Sequence, residues 1–304
     1  MSDKVRAARG LAIKGDVVGV AAAVAGAALF STKPIFIKFA YVEGIDALTL
    51  LTLRMVIAFP IYLTIGLLVL RRARDLDARL LVAIAGNGML GYYVASFLDF
   101  MALEEITAQL ERLVLFTYPL FVVILGALFF GLPFRRLTIP ALLAAYAGLA
   151  LVFLGNMHHA GSGDIVWGSL LVLGAALAFA LFQLFGRKLV GRVGATLYTS
   201  VAMGSAGCGL LLHYGLSRPL SGLAVSDDLL LIALAIAVVS TVLPSYLLNF
   251  ALGRIGADGT AMVGNAGPLF TIALSATLLG EPFGLLEAAG TCLVLFGMWL
   301  FARR

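Results

Sequence analysis

Charged residues are scarce in this chain. Of its 304 residues only 12% are charged, and 62% are hydrophobic. A soluble globular domain carries about 25% charged and about 45–50% apolar residues. So little charge cannot cover a water-facing surface, and so many apolar side chains exclude a disordered chain. The class that remains is an all-α membrane protein that crosses the lipid bilayer several times.

Residues that carry catalytic or metal chemistry are also few. The chain has two cysteines and three histidines, and Cys208 and Cys292 both lie inside apolar runs, so no disulfide or metal framework is expected. The phosphate-binding, zinc-protease and serine-hydrolase motifs are absent. The basic residues are scattered between apolar blocks, which excludes nucleic acid as a partner. We therefore expect no enzyme, no cofactor and no metal.

The apolar residues fall into ten blocks of the length that a transmembrane helix needs. Because lipid offers the backbone no hydrogen-bonding partner, each block is expected to be a helix. The ten predicted spans are residues 17–39, 47–70, 80–102, 107–130, 138–156, 165–186, 195–213, 229–252, 258–279 and 285–302.

The basic residues predict how these spans are oriented. With the N-terminus inside, sixteen of the 21 Lys and Arg residues fall on inner segments, and only Lys38 and Arg218 fall outside. This is a strong positive-inside signal. Residues 1–16 are then a cytoplasmic segment, both termini are cytoplasmic, and the protein is expected in the cell inner membrane.

The two halves of the chain repeat each other. Gly15-Asp16 recurs at Gly163-Asp164, an offset of 148, and Pro119-Leu120-Phe121 recurs at Pro268-Leu269-Phe270, an offset of 149. The sequence therefore predicts a five-helix repeat at 17–156, an outer linker at 157–164, and a second repeat at 165–302.

The second repeat is expected to be inverted. Five is an odd number of spans, so the second copy must enter the membrane from the opposite side. The charges agree: Glu104 and Glu105 follow the third span, whereas Arg254 follows the eighth. Inverted repeats are typical of secondary transporters, which place one solute site between the two copies.

Two Gly-x-Pro-Phe turns, at Gly131 to Phe134 and Gly280 to Phe283, complete a pattern that resembles the drug/metabolite transporter superfamily, in its EamA-type branch of ten-helix bacterial exporters. The family's Gly-Glu turn is present as Gly280-Glu281, but the first copy reads Gly131-Leu132. The resemblance implies export of small metabolites. Length and charge layout are similar to amino-acid exporters of this branch that favour aromatic and other apolar amino acids. Efflux of cationic drugs is the alternative.

Ionisable residues inside the spans are the first site candidates, because their placement in lipid is costly. All five lie in the outer third of the predicted membrane. The pattern favours an outer gate, or a clamp for the charged ends of a zwitterion. A static ion-pair network and snorkelling of the longer side chains remain alternatives. The five are Lys33, Arg54, Asp99, Glu111 and Arg112.

Polar and aromatic residues at helical spacing form the second set. Within lipid they must face partners or a water-filled cavity, although any one of the aromatic residues is more typical of packing or of the interface belt. Together they would suit a small amphiphile with a ring or thioether. The predicted lining residues are Tyr92, Ser96, Tyr118, Phe179, Gln183, Tyr246, Asn249 and Asn265.

Prolines inside the spans predict bends in the helices. Pro34, Pro119, Pro244 and Pro268 each remove a backbone donor, and Pro119 and Pro268 are repeat mates. The bends could be hinges for alternating access or fixed bends around a cavity. We expect a small-molecule substrate and the lipid bilayer as partners. The oligomeric state is left open.

Overall fold

The structure, a computed structural model, describes residues 16–70, 76–131, 138–157, 164–264 and 266–302. Helices and short turns make up these residues, and no β-strand occurs among them. The prediction of an all-helical protein is confirmed for this part of the chain. Several of the predicted helix boundaries, however, differ from those observed.

The described residues of the first half form eight α-helices, two of which are separated by a π-helical segment at Met89–Val94. They are α1 (Val17–Ser31), α2 (Lys33–Val42), α3 (Ala47–Leu70), α4 (Ala78–Gly88), α5 (Ala95–Glu105), α6 (Ala108–Leu115), α7 (Tyr118–Phe129) and α8 (Thr138–Met157).

The described residues of the second half form six α-helices. Two π-helical segments, Val238–Val242 and Ser275–Leu279, and a 3₁₀ turn at Leu220–Leu223 lie between or after them. The helices are α9 (Ile165–Val193), α10 (Ala195–Ser217), α11 (Asp227–Ala237), α12 (Leu243–Gly264), α13 (Gly267–Leu274) and α14 (Leu285–Ala302).

Seven helical stretches of the described residues are long and apolar enough to cross a membrane. Three further apolar helices are shorter, and they lie where the fifth, ninth and tenth spans are predicted. The seven stretches are Val17–Val42, Ala47–Val69, Ala78–Glu105, Ala108–Phe129, Ile165–Val193, Ala195–Ser217 and Asp227–Ile255, and the shorter three are Ile139–Gly155, Gly267–Leu279 and Leu285–Leu300.

Three of the four prolines that were predicted to bend the spans share one structural position. Pro34 in α2, Pro119 in α7 and Pro268 in α13 are each the second residue of a helix that begins after a break, whereas Pro244 follows a π-helical segment inside the continuous helical stretch Asp227–Ile255. A helix does not need the N–H group of its second residue, so proline is well tolerated there. The first and fourth predicted spans are therefore two helices each, separated at Thr32 and at Phe116–Thr117.

One predicted loop is wrong. The sequence places a loop between residues 252 and 258, where Gly253, Arg254 and Gly256 stand, but α12 continues through this segment to Gly264. An isolated glycine costs a helix only about 1 kcal/mol, and no proline interrupts this stretch. The helix ends instead just ahead of α13, which begins at Gly267.

The packing of the helices relates the two halves by an approximate two-fold exchange. The four most extensive contacts are α8 with α14, α1 with α12, α3 with α10, and α5 with α9. Each contact joins one helix from each half. Exchanging each helix for its repeat mate converts the α1–α12 contact into the α5–α9 contact, and it leaves the other two unchanged.

Glycine contacts show the same exchange at the level of single atoms. A Cβ built on Gly19 would lie 2.7 Å from the Ile255 side chain, and one built on Gly168 would lie 2.5 Å from the Ile106 side chain. Gly168 stands 149 positions after Gly19, and Ile255 stands 149 positions after Ile106. Absence of a side chain at both glycines lets the paired helices approach closely.

The turns repeat as well. Gly131 and Gly280, with φ of 63° and 65°, end α7 and the π segment after α13, while Gly44 and Gly194, with φ of 80° and 81°, precede α3 and α10. A positive φ strongly favours glycine because it has no Cβ. Even the π segments at Met89 and Val238 begin 149 residues apart.

Candidate functional site

The five ionisable residues predicted inside the spans come together in one buried group, which we call the charge cluster. They are contributed by α2, α3, α5 and α6, all from the first repeat. Their exposed fractions are 6% for Lys33, 3% for Arg54, 2% for Asp99, 0% for Glu111 and 2% for Arg112.

Lys33 and Asp99 form the shortest ion pair of the charge cluster, with Lys33 Nζ 2.6 Å from Asp99 Oδ2. Lys33 is the first residue of α2, directly after the Thr32 break, and its ammonium group also lies over the rings of Phe30 and Phe100. The break therefore places the base of this side chain beside the carboxylate on α5.

Glu111 and Arg112 are less completely paired. Arg112 Nε lies 4.0 Å from Glu111 Oε2, beyond hydrogen-bonding distance. An Arg112 amino group donates to the carbonyl of Phe30 at 3.5 Å, and its guanidinium group lies over the Phe30 ring. Both Glu111 oxygens lack a hydrogen-bond partner among the described residues.

Arg54 is the third buried cation of the charge cluster. Its guanidinium carbon lies 5.2 Å from the centre of the Phe100 ring, and its Nε has no hydrogen-bond partner among the described residues. A cation over an aromatic face gains a modest electrostatic attraction. With two carboxyl groups and three cations, the cluster carries an excess of positive charge.

Burial bears directly on the snorkelling alternative. The charged ends of Lys33 and Arg54 point into protein and are covered by Phe30, Phe100 and their neighbours, so they do not reach the surface. The structure thus supports a network inside the protein, which is compatible with a gate, a clamp or a fixed ion-pair network.

The charge cluster belongs to one repeat alone. The repeat mates of its residues are uncharged, and two of them, Ala202 and Leu248, pack among apolar neighbours. The approximate two-fold exchange of the backbone therefore does not extend to the electrostatics. The mates are Leu181, Ala202, Leu248, Thr260 and Ala261.

Three of the predicted lining residues belong to a continuous aromatic group, the aromatic cluster, made of Tyr92, Tyr118, Phe179, Phe182 and Tyr198. Its successive rings lie 4.9 to 6.0 Å apart. Phe116, in the break ahead of α7, lies 6.2 Å from Tyr118 and links this group to the end of α6. Such edge-on and offset contacts are the favoured geometries of aromatic pairs.

Tyr246 lies apart from those rings but is connected to them. Its ring is 6.1 Å from that of Tyr62, and both tyrosines and Tyr92 pack against one apolar cluster. The Tyr62 hydroxyl contacts Ser245 Oγ at 3.2 Å. Tyr62 was missed by the sequence analysis because it stands alone on α3, without a polar residue at helical spacing.

The remaining predicted lining residues are less uniformly placed. Ser96 and Asn249 are half-buried, whereas Gln183 is exposed, although its side chain contacts the Tyr118 hydroxyl. Asn265 lies outside the described residues. The central cavity itself stays a prediction, and the shallow depression of about 410 Å³ between the α2–α3 turn and the end of α10 is lined by other residues, among them Glu43, Asp46 and Arg218.

Glu281 connects the two repeats at the start of α6, and the sequence analysis did not assign it this role. Its Oε1 accepts from the Ala108 N–H at 2.7 Å and its Oε2 accepts from the Gln109 N–H at 3.1 Å. The Gln109 side chain also donates to the Pro282 carbonyl at 3.4 Å. Burial raises the pKa of the Glu281 carboxyl, although the two backbone hydrogen bonds oppose this shift.

Comparison with known proteins assigns the chain. A model of the EamA-like transporter family matches it twice, over residues 17–154 and 166–303. The chain belongs to the EamA-like transporter family. It is therefore a membrane transporter of small molecules and not an enzyme, within the drug/metabolite transporter superfamily that the Gly-x-Pro-Phe turns indicate.

The chain is also similar to two individual proteins. It is 29% identical over 279 residues to a protein of Bacillus subtilis (strain 168) described as "Uncharacterized transporter YcbK", and the alignment covers 87% of this chain and 86% of the relative. A crystal structure with 18% sequence identity superposes with a TM-score of 0.62, covering 93% of this chain and 96% of the other. That similarity concerns the fold alone.

Proposed function

We propose that the transporter is a secondary exporter of small metabolites, specifically amino acids with aromatic or other apolar side chains, that works by alternating access. The observation that carries this proposal is the reciprocal packing of the repeats, α1 on α12 and α9 on α5. Two arrangements related by exchange of the repeats have similar packing, so one site can open to either side.

The proposed topology has ten spans, with the repeats inserted in opposite directions, both termini cytoplasmic and the protein in the inner membrane. Its support is the excess of Lys and Arg on the inner segments, together with the odd number of spans in each half. The two family matches, of equal length, agree with a duplicated unit.

The proposed substrate class follows from two neighbouring groups of side chains. The charge cluster offers cations and carboxyl groups at one depth, which suits the two charged ends of a zwitterion. The aromatic cluster offers ring faces and a few hydroxyl groups, which suit an apolar or aromatic side chain. Phe116, at the junction of α6 and α7, contacts Tyr118 of the aromatic cluster. It follows α6, the helix that bears Glu111 and Arg112 of the charge cluster.

Exchange in proteoliposomes tests this function. Vesicles loaded with unlabelled phenylalanine or methionine should take up the labelled amino acid by saturable counterflow, and each of the twenty amino acids should then be screened as a competitor. Protein-free vesicles and the exposed-site variant Glu43→Gln are the controls. Absence of protein-dependent flux for every amino acid would refute the substrate class, and flux that does not saturate would indicate a channel.

Efflux of cationic drugs is the second candidate, because one observation favours it. Both Glu111 oxygens and Asp99 Oδ1 are buried and have no hydrogen-bond partner in the part of the chain that the structure describes, so a ligand cation could pair with them. In that case vesicles would export a fluorescent cation such as ethidium, and Glu111→Gln would abolish this export.

A further inference from the structure

Glu111 is buried more completely than its chemistry ordinarily allows. Its exposed fraction is 0%, and neither of its side-chain oxygens has a hydrogen-bond partner among the described residues. An ionised carboxylate in this position would lose its hydration and gain no hydrogen bond in return, which is costly inside protein. A proton on the carboxyl group removes the charge and supplies a donor.

Asp99 is positioned to accept from that donor. The Asp99 and Glu111 side chains lie within hydrogen-bonding reach of each other. Lys33 Nζ donates to Asp99 Oδ2 at 2.6 Å, and Asp99 Oδ1 is buried with no hydrogen-bond partner among the residues described. One proton held between the two carboxyl groups would therefore satisfy oxygens that are otherwise unpaired, and it would relieve the repulsion of two like charges.

The helices packed on α6 determine whether a neighbouring side chain, instead of a proton, could pair with the Glu111 carboxyl group. Of the other helices packed on α6, α13 contains no ionisable residue, α8 contains only Tyr146, and the basic residues of α9 stand at its far end. The cations near the pair are Lys33, Lys38, Arg54 and Arg112, the Tyr41 phenol is neutral, and the Glu281 carboxyl group lies at the start of α6 on the Ala108 and Gln109 N–H groups. None of the described contacts of these groups provides Glu111 with a hydrogen bond.

We propose that Asp99 and Glu111 form a proton-binding site that the transporter loads and unloads in each cycle, so that substrate export is coupled to proton movement. This rests on the proposed function as a secondary exporter. Opening of the start of α6 would hydrate the pair, and water would then replace the shared proton as the hydrogen-bond donor. The proton leaves to water, and no other bond forms or breaks.

The transport test separates coupling from transport itself. In wild-type vesicles a gradient of one pH unit should drive about tenfold accumulation of label if one proton exchanges per substrate. In Glu111→Gln and Asp99→Asn the gradient-driven accumulation should fall by a larger factor than counterflow without a gradient, and this difference measures coupling separately from any loss of substrate binding in the clamp. Glu287→Gln is the matched control, since Glu287 is also buried but accepts from Gly284 N–H in α14's first turn. Accumulation that is independent of the gradient, or gradient-driven accumulation in Glu111→Gln that falls no further than counterflow does, would overturn the proposal.

A second measurement needs no substrate, so it remains decisive if amino-acid transport itself fails. Infrared spectroscopy of the purified protein at neutral pH should show the carbonyl stretch of a protonated buried carboxyl group. The band should be missing in Glu111→Gln and present in Glu287→Gln, with both variants checked for folding by size-exclusion chromatography. A wild-type spectrum identical to that of folded Glu111→Gln would refute the shared proton.

Discussion

The Glu281 carboxylate, in the turn that ends the ninth predicted span, accepts a hydrogen bond from the backbone N–H of Ala108 at 2.7 Å. The two residues are 173 positions apart and belong to different repeats. Ala108 begins α6, the helix that carries Glu111 and Arg112. A carboxylate at a helix N-terminus satisfies free N–H groups and interacts favourably with the helix dipole.

Replacing Glu281 by alanine should therefore loosen the start of α6. Loss of such a capping group costs about 1–2 kcal/mol, equivalent to a factor of about 5–30 in the population of the open form. A cysteine placed at Gln109, in a background without Cys208 and Cys292, should react correspondingly faster with a water-soluble maleimide from the outside. Glu43→Ala, at an exposed glutamate, is the control. Equal labelling rates in both variants would contradict a capping role.

The contact between Glu281 and α6 should also respond to pH. Burial raises the pKa of Glu281 above its usual 4.5. The turn that carries Glu281 therefore binds a proton more tightly when it is docked on α6 than when it is detached. Acid therefore favours docking of this turn on α6. The gain in docking free energy appears as the pH falls through the raised pKa and is complete below 4.5. Labelling of the Gln109 cysteine should slow over this range, and Glu281→Gln should remove the dependence. Faster labelling in acid would reverse the assigned sign.

The glycines between α8 and α14 should be intolerant of a single methyl group. A Cβ on Gly148 would lie 2.4 Å from the Gly290 carbonyl oxygen, and one on Gly297 would lie 2.7 Å from the Ala141 carbonyl oxygen. These are repeat-related contacts, so Gly148→Ala and Gly297→Ala should both destabilise, by about 1–3 kcal/mol each. Thermal unfolding in detergent measures this.

The matching control is Gly86→Ala in α4, where a Cβ would have no atom within 4 Å. Alanine is the better helix former, so this variant should be about 0.5–1 kcal/mol more stable than wild type. If Gly148→Ala and Gly86→Ala unfold at the same temperature, close backbone packing does not hold these two helices together.

The Lys33–Asp99 pair should be more sensitive to the loss of one partner than to the loss of both. Lys33→Met or Asp99→Leu alone leaves an uncompensated buried charge, which costs about 3–5 kcal/mol. The double variant removes both charges and should recover a large part of that loss. A double-mutant cycle in detergent unfolding gives the coupling energy. Strictly additive losses would mean that the 2.6 Å contact contributes nothing.

Much of the helical framework could be predicted because it depends on local signals. The repeat offset of 148–149 anticipated which helices correspond, and Pro34, Pro119 and Pro268 marked places where one helix gives way to the next. The end of the eighth predicted span could not be placed, since Gly253 and Gly256 are as compatible with a helix as with a loop when tertiary contacts support them.

Side-chain partners that are far apart in the sequence could not be predicted. The five charge-cluster residues were found as a set because any ionisable group in an apolar span is conspicuous. Their pairing was not, because Lys33 and Asp99 are 66 positions apart. Glu281 looked like part of a turn, and only the folded chain brings its carboxylate to α6.

The turns and helix contacts of the two repeats still match, yet ionisable groups fill the buried cluster in one repeat and Leu181, Ala202 and Leu248 stand at the mates in the other. In the proposed alternating-access cycle, charges would close the entrance beside the charge cluster and apolar contacts would close the opposite one. The two opening barriers should then differ: pH and salt on one face of the membrane should change the rate of one half of the cycle and leave the other half unchanged.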